Sequence, residues 1–344
     1  MQPNLTWQKI TLHLRNPFRL SYGTTEESQA YWIRLSNDTG WGEGTIPPYY
    51  QVSTTDMEDV WQAASQSSVP FPDDPAEIQA WVGDQGPAPA RCALDLALHD
   101  RIARERDIPL FQLLDLPRPV PKPSAFTISV AAPSEMARMA SQVRRYPIIK
   151  VKLAGDDLDM DRLSAIRTAR PDVRLWVDAN AGWGLQDALR HLRDLERFDL
   201  EMVEQPLHKD DIEGMGELQS LTRILIVADE SLQTLQNIED LAAVGVKGVN
   251  LKLMKIGGIS PALEMIRRAR QLGLKVMLGC MIETSLGTTV MAHLGGFAEW
   301  LDLDASALIS NDPFEGMIFN QNAAVSLPDR SGIGVVLKSP KAVN

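Results

Sequence analysis

Two hydrophobic rhythms follow one another along the chain. Residues 1 to about 120 open with TWQKITLHL and YWIRLSN, where apolar and polar positions alternate as in strands with one buried face. Turn-rich stretches join them, and DTGWGEG reads as the end of a hairpin. Its glycines lack the spacing and the following Lys-Ser/Thr of a phosphate loop. RCALDLALHDRIARER (91–106) moves to a helical period, with Leu94, Leu98 and Ile102 on one face and polar residues opposite. PRPVPKP (117–123) then reads as a boundary.

From about residue 124 a unit repeats: a short β-branched run, a polar turn, an amphipathic stretch, and the next run. The runs are AFTISV, IIKVKL, RLWVDAN, LEMVEQP, ILIVADE, GVNLKL, LKVMLGCMIE and EWLDLD. Between the sixth and seventh, SPALEMIRRARQLG offers Ser260 as N-cap, Leu263, Ile266 and Leu272 as the inward face, and Gly273 as the stop. Strict alternation of strand and helix implies a parallel sheet, and eight units imply closure. A doubly wound sheet would need a glycine-rich first turn, which is missing. The expected fold is an α/β barrel of the (β/α)8 (TIM-like) type over 121–320, preceded by an α+β domain over 1–120.

Composition narrows the class. A chain of 344 residues suits a barrel with an accessory domain, and 44% hydrophobic with 23% charged residues is ordinary for a globular protein. A net charge of -11 speaks against a nucleic-acid surface, which needs a basic stripe. Cys92 and Cys280 form no metal-ligand spacing and read as free thiols of a reducing compartment. No secretory leader and no apolar run of roughly 18 residues stands out, so the expectation is a cytoplasmic protein without a membrane partner. The sequence leaves room for a homo-oligomer and says no more about assembly.

The chemistry of such a barrel sits at the C-terminal ends of its strands. Those ends carry Lys150 and Lys152, Asp178, Glu204, Asp229 and Glu230, Lys252, Glu283, then Asp302 and Asp304. Any one of them alone reads as a solvated strand end; charge at seven consecutive ends does not. Asp178, Glu204 and Asp229 come from adjacent strands and can converge, which without a cation would raise their pKa values. Oxygen-only ligands favour Mg²⁺ over zinc. The histidines form no HxxxH pair; His191 and His293 read as structural helix residues, and His208 lies just past the fourth strand. Lys152 and Lys252 come from opposite strands and suggest a substrate held between two bases, with the like charge of Lys150 lowering the pKa of Lys152. A positioned base supplies roughly 3–5.5 kcal/mol, far less than removal of a proton beside a carboxylate requires. Stabilising the enolate's charge must supply the rest, so metal and lysines form one mechanism.

At these residues the chain resembles the enolase superfamily and, within it, the muconate-lactonizing subgroup. The resemblance rests on KVK (150–152), VDAN with GW (177–183), VEQP (203–206), ADES (228–231) and NLKLMKIGG (250–258), extended by GWGEG, RCALDLALHD and SGIGV. Sites of that superfamily pair a Lys or His base with Mg²⁺, a known property of the superfamily rather than something these residues show. The resemblance implies a capping domain over the barrel mouth, completed by the tail at 321–344, with Asn180 and Glu230 supporting the ligands. WLDLDASAL and GCMIETSLG resemble the dipeptide epimerases. That implies Asp302 and Asp304, with Glu283, around the free ammonium of a small-molecule dipeptide, and inversion at its C-terminal residue by two-lysine 1,1-proton transfer. The alternative in the same subgroup is o-succinylbenzoate synthase or muconate cycloisomerase chemistry, whose substrates offer no amine for Asp302 and Asp304. Relatives acting on Ala-Glu carry an arginine in the capping loop. LSYGTTEESQ has instead Glu26 and Glu27, with Arg19 just before it, so neutral or cationic dipeptides are expected to be preferred.

Overall fold

The computed structural model describes residues 4–21, 23–46 and 48–339. The first strands form an antiparallel sheet, β1 (Leu5–Leu20), β2 (Gly23–Leu35) and β3 (Trp41–Thr45). Helices α1 (Thr54–Ser65), α2 (Ile78–Val82) and α3 (Ala88–Glu105) cover one face, burying Tyr31, Ile33, Met57, Trp61, Leu94 and Leu98 together. The alternating glycines of GWGEG explain how closely α3 lies on β3. A Cβ on Gly42 would stand 1.9 Å from the carbonyl oxygen of Ala93, and one on Gly40 2.2 Å from that of Ala97. Neither position admits a side chain.

The polar positions of α3 do not face water as the sequence suggests. Asp95, His99, Asp100 and Arg101 are all buried, because the helix lies between the cap sheet and the barrel. After α4 (Leu110–Leu113) the chain reaches the short strand β4 (Lys122–Pro123) and then the barrel.

All eight apolar runs form strands, and they lie in sequence order: β5 (Phe126–Ile128), β6 (Ile148–Lys152), β7 (Arg174–Asp178), β8 (Leu200–Glu204), β9 (Leu225–Ala228), β10 (Gly248–Leu251), β11 (Lys275–Gly279) and β12 (Trp300–Asp302). Every neighbouring pair is parallel. The bridge of Ser124 to Leu301, with Ala125 N–H donating to the Leu301 carbonyl at 2.9 Å, closes the ring. The crossovers are α5 (Pro133–Gln142), α6 (Asp159–Ala169), α7 (Leu185–Leu195), α8 (Ile212–Leu221), α9 (Leu235–Ala243), the single turn α10 (Leu253–Ile256) with α11 (Ile259–Gln271), and α12 (Ser285–His293). The eighth helix is shorter than the repeat suggests, one turn, α13 (Ala305–Leu308), after which the chain leaves the barrel's outer ring.

The tail then binds both domains. β13 (Phe314–Glu315) pairs with β16 (Val336–Leu337), while β15 (Ala324–Ser326) pairs with β14 (Ile318–Phe319) and β4. Ile333 N–H donates to Asp100 of α3 at 2.7 Å, and the Gly332 carbonyl accepts from Leu110 N–H at 2.8 Å. His293 is structural, as expected: its Nδ1 accepts from Phe111 N–H at 3.1 Å and its Nε2 faces the Ile333 carbonyl at 3.0 Å.

One expected cap is wrong. Gly258, not Ser260, precedes the first turn of α11; Ser260 lies inside the helix, and Leu272 is exposed beyond its end. The first turn is instead capped from the other domain, by Asp95.

Candidate active site

In a strand, residues two apart share a face. On β6 that rule sends Ile148 to the barrel floor and Lys150 and Lys152 to the mouth, each further along the same interior face. Asp178 and Glu204 end β7 and β8, while Asp229 and Lys252 follow the last residues of β9 and β10. Oxygen atoms of Asp178, Glu204 and Asp229 lie within 4.8 Å of one another.

The lysines are interleaved with these carboxylates. Lys152 Nζ donates to Asp178 Oδ2 at 2.7 Å, and Lys252 Nζ to Asp229 Oδ2 at 2.7 Å. Lys150 Nζ lies 2.7 Å from Glu204 Oε2, 2.8 Å from Asp302 Oδ2 and 3.0 Å from Asp178 Oδ2. Lys150 is therefore a bridge among acids, more than the like-charged neighbour of Lys152 that the sequence suggests. Burial works against its charge, but Asp302, Glu204 and Asp178 outweigh it and hold Lys150 well above the ordinary lysine range. Lys252 is raised in the same way, against burial, chiefly by Asp229.

The acids divide. Asp178 is pushed down to about 2, because Lys152 and Lys150 overcome its burial. Asp229 is held well below the ordinary range, against burial, by Lys252 and Lys255. Burial pushes Glu204 up to about 8, with Asp178 adding to the push, and Glu230 up to about 7, with Asp229 adding. Six buried carboxyl groups (Asp178, Glu204, Asp229, Glu230, Asp302, Asp304) face four buried lysines (Lys150, Lys152, Lys252, Lys255), so full ionisation leaves two negative charges, which the raised values of Glu204 and Glu230 show to be resisted while no cation is bound. A divalent cation fits this donor set: the triad offers only oxygen, and Glu204 is the member the lysines leave most in need of positive charge.

Asn180 and Glu230 support the cluster, with Asn180 Nδ2 donating to Glu230 Oε1 at 3.2 Å and Asn180 N–H to Asp178 Oδ1 at 2.9 Å. Sequence reasoning missed three further supports. Lys255 Nζ donates to the Asp229 carboxylate and, at 2.5 Å, to its carbonyl. Asn250 Nδ2 donates to Glu204 Oε1 at 2.9 Å. Gln205 Oε1 accepts from the N–H groups of Asp229 at 2.8 Å and Ser231 at 3.1 Å, fixing the end of β9. All three lie inside NLKLMKIGG and VEQP, where only the strand-end residues drew attention.

Lys150, Lys152, Lys252, Asp229, Asn180 and Glu230 line one pocket with Asp302 and Asp304. The two aspartates are not equivalent: Asp302 gives Oδ2 to Lys150 and leaves Oδ1 unpartnered, while Asp304 Oδ2 accepts from Thr127 N–H at 2.6 Å. Burial, then Asp302, pushes Asp304 up to about 7. Phe18, Leu20 and Thr25 of the β1–β2 hairpin, Tyr49 and Tyr50, and Met281, Ile282 and Leu308 form much of the remaining wall.

Several expected residues fall outside it. Glu283 does not line the pocket but lies near Glu43 of the cap, and burial with Glu43 raises it well above the carboxylate range. Glu43 meanwhile accepts from Thr284 N–H at 2.9 Å and Gly287 N–H at 2.9 Å, joining cap to barrel. Arg19, Glu26 and Glu27 are exposed, with Glu27 paired to His13 at 3.0 Å; the alternation of the hairpin points Phe18 and Leu20 inward and Arg19 outward. His208 is exposed beside Asp210. Cys92 and Cys280 are both free thiols.

A barrel with charged strand ends, an acidic triad and two opposed lysines under an α+β cap defines the class, and comparison with known proteins agrees. The enolase C-terminal domain-like family model matches residues 135–342. The L-Ala-D/L-Glu epimerase of Bacillus subtilis (strain 168) is 32% identical over 95% of this chain and 94% of its own length. The hydrophobic dipeptide epimerase of Roseobacter litoralis is 32% identical over 96% and 98%. The dipeptide epimerase of Cytophaga hutchinsonii, solved with Mg and the dipeptide D-Ala-L-Val, superposes with a TM-score of 0.92 at 26% identity over 99% of this chain and 97% of that one. The chain belongs to the enolase superfamily, in its dipeptide epimerase branch.

Proposed function

We propose that the protein is a dipeptide epimerase that inverts the Cα of the C-terminal residue by passing a proton between Lys152 and Lys252. The observation that carries this reading is the pairing of these lysines. They come from strands four places apart in an eight-strand ring, so they face each other across the pocket that also holds Asp302 and Asp304.

The proton balance is simple. The lysine facing the α-hydrogen takes that proton as neutral amine, a form within reach only when its carboxylate partner (Asp178 for Lys152, Asp229 for Lys252) is engaged elsewhere, and the C–H electrons move onto the carboxylate as an enolate. The opposite lysine, as ammonium, returns a proton to the other face, giving the epimer with no net redox change. Each turnover leaves the two lysines with exchanged protonation states, so one lysine must release a proton to solvent and the other take one up to reset them. Charge developing on the carboxylate oxygens is what Mg²⁺ held by Asp178, Glu204 and Asp229 neutralises when bound. Lys150 keeps Asp178, Glu204 and Asp302 in register, and Asn180 and Glu230 brace the triad's rim. Asp304 and the unpartnered Oδ1 of Asp302 receive the substrate's ammonium, which makes a free amine a requirement.

The wall supports a preference for neutral, apolar side chains. Phe18, Leu20, Met281, Ile282 and Leu308 bring no charge, and the acidic residues that suggested cationic substrates lie outside the pocket. The Roseobacter litoralis relative, a hydrophobic dipeptide epimerase, is in keeping with this reading. Incubating the protein with Mg²⁺ and a dipeptide library in D2O tests reaction and preference together, read by mass spectrometry. Apolar dipeptides with free amines should gain one deuterium at the C-terminal Cα. A library with no deuterated member, or Ala-Glu in first place, would contradict the respective half of the proposal.

A further inference from the structure

Each lysine is followed by a loop, and a buried aspartate fastens each loop. The loop after Lys152 is fastened from within the barrel. Asp159, at the start of α6, accepts from Ala154 N–H at 3.0 Å and Gly155 N–H at 2.8 Å, and is held by Arg162 at 2.6 Å.

The loop after Lys252 is fastened from the cap. Asp95 on α3 is 1% exposed, and its carboxylate accepts from Ile259 N–H at 2.6 Å, Ser260 N–H at 3.3 Å and the Ser260 hydroxyl at 2.6 Å. The chain is pressed onto α3 there: Gly258 has φ +124°, and a Cβ on it would stand 2.5 Å from Asp95 Cγ. Only the single turn α10 lies between this clamp and Lys252, closed by Lys255 N–H to the Lys252 carbonyl at 3.0 Å and Gly257 N–H to the Leu253 carbonyl at 2.9 Å. So short a connection has little slack, and a displacement at Ile259 passes to Lys252.

We infer that Asp95 is a positioning residue for Lys252, so the capping domain sets the geometry of one base while Asp159 sets that of the other. This rests on the two-lysine reading above. The consequence is an asymmetry: loosening the cap's hold should impair proton transfer on one face of the substrate only.

Solvent deuterium uptake into L-Ala-L-Leu and into L-Ala-D-Leu, measured separately with Mg²⁺, reads this out. Lys152→Ala and Lys252→Ala first assign an epimer to each lysine. Asp95→Asn should then slow uptake by about 10- to 100-fold for the epimer assigned to Lys252, the scale expected for a misplaced catalytic group, and by less than about twofold for the other. Asp159→Asn should show the reverse. Ser260→Ala, which deletes only the hydroxyl's bond and leaves the backbone clamp, should repeat the Asp95 asymmetry at about two- to fivefold and serves if Asp95→Asn does not fold. Equal slowing of both epimers by Asp95→Asn, or by Ser260→Ala in its place, overturns the inference while the two-lysine reading stands. Loss of both epimers in each lysine variant overturns that reading, and the inference with it.

Discussion

Only two positions along the chain, with a single residue between, take most strands from the floor of the barrel to its mouth. Trp176 and Asp178 share β7, Met202 and Glu204 share β8, Trp300 and Asp302 share β12, and Val227 precedes Asp229 by two. The floor is an apolar cluster whose polar atoms are satisfied: the indole N–H groups of Trp176 and Trp300 donate to Glu201 at 2.7 and 2.8 Å, and Arg174 pairs with the same carboxylate. The mouth buries ten ionisable side chains and leaves Asn180 Oδ1, Glu230 Oε2 and Asp302 Oδ1 without partners. Buried polar groups without partners destabilise a fold, so such a concentration is tolerated where function needs it. The same strands thus carry stability at one end and reactivity at the other.

Chelation should strike the mouth alone and gives the largest effect. Excess EDTA is expected to abolish epimerisation, Mg²⁺ to restore it, and far-UV circular dichroism to stay unchanged; undiminished turnover in protein shown metal-free by elemental analysis contradicts the triad's role. The floor should answer in the opposite way. Trp176→Ala is expected to cost about 3–5 kcal/mol in denaturant unfolding, the range for deleting a large buried aromatic, while the molecules that remain folded keep wild-type deuterium exchange. Comparable losses of stability and turnover per folded molecule would erase the distinction between floor and mouth.

Asp304→Ala tests the other pole of the mouth. It should leave an ammonium poorly paired in a closed site and lower kcat/KM by about 5- to 150-fold, or roughly 1–3 kcal/mol. An unchanged kcat/KM removes Asp304 from substrate recognition. The smallest effect is on stability against pH. The folded-state pKa of Asp304, about 7, is above that of an unfolded aspartate, so its contribution is complete at low pH and is lost as pH rises through about 7. In metal-free protein, Asp304→Asn should flatten the fall in Tm between about pH 4 and 7; an unaltered slope assigns the fall to other groups.

All eight strands were legible, because buried parallel strands are apolar runs and seven of them lead into a charged residue at the C-terminal end. What stayed hidden was set by partners far away in sequence. The polar residues of α3 look like a solvated face until a second domain covers them, and Ser260 looks like a cap until Asp95 reaches its turn from 165 residues away. The capping hairpin misled for another reason. Where both faces of a strand carry polar residues its phase is unreadable, so LSYGTTEESQ suggests Glu26 and Glu27 at the substrate and gives no sign of the apolar wall of Phe18 and Leu20. Lys255 is hidden by company, as the second lysine of a motif whose first stands at the strand end.

The central claim is that Lys152 and Lys252 serve opposite faces of one carbon. It is tested most directly by following α-proton exchange of both epimers of an apolar dipeptide in D2O with Lys152→Ala and Lys252→Ala side by side. The account predicts that each variant stops interconversion, yet each still exchanges one epimer, and that the two variants retain different epimers. If both variants lose both epimers to the same degree, or both retain the same one, a single base does the work and the opposed-lysine mechanism is wrong.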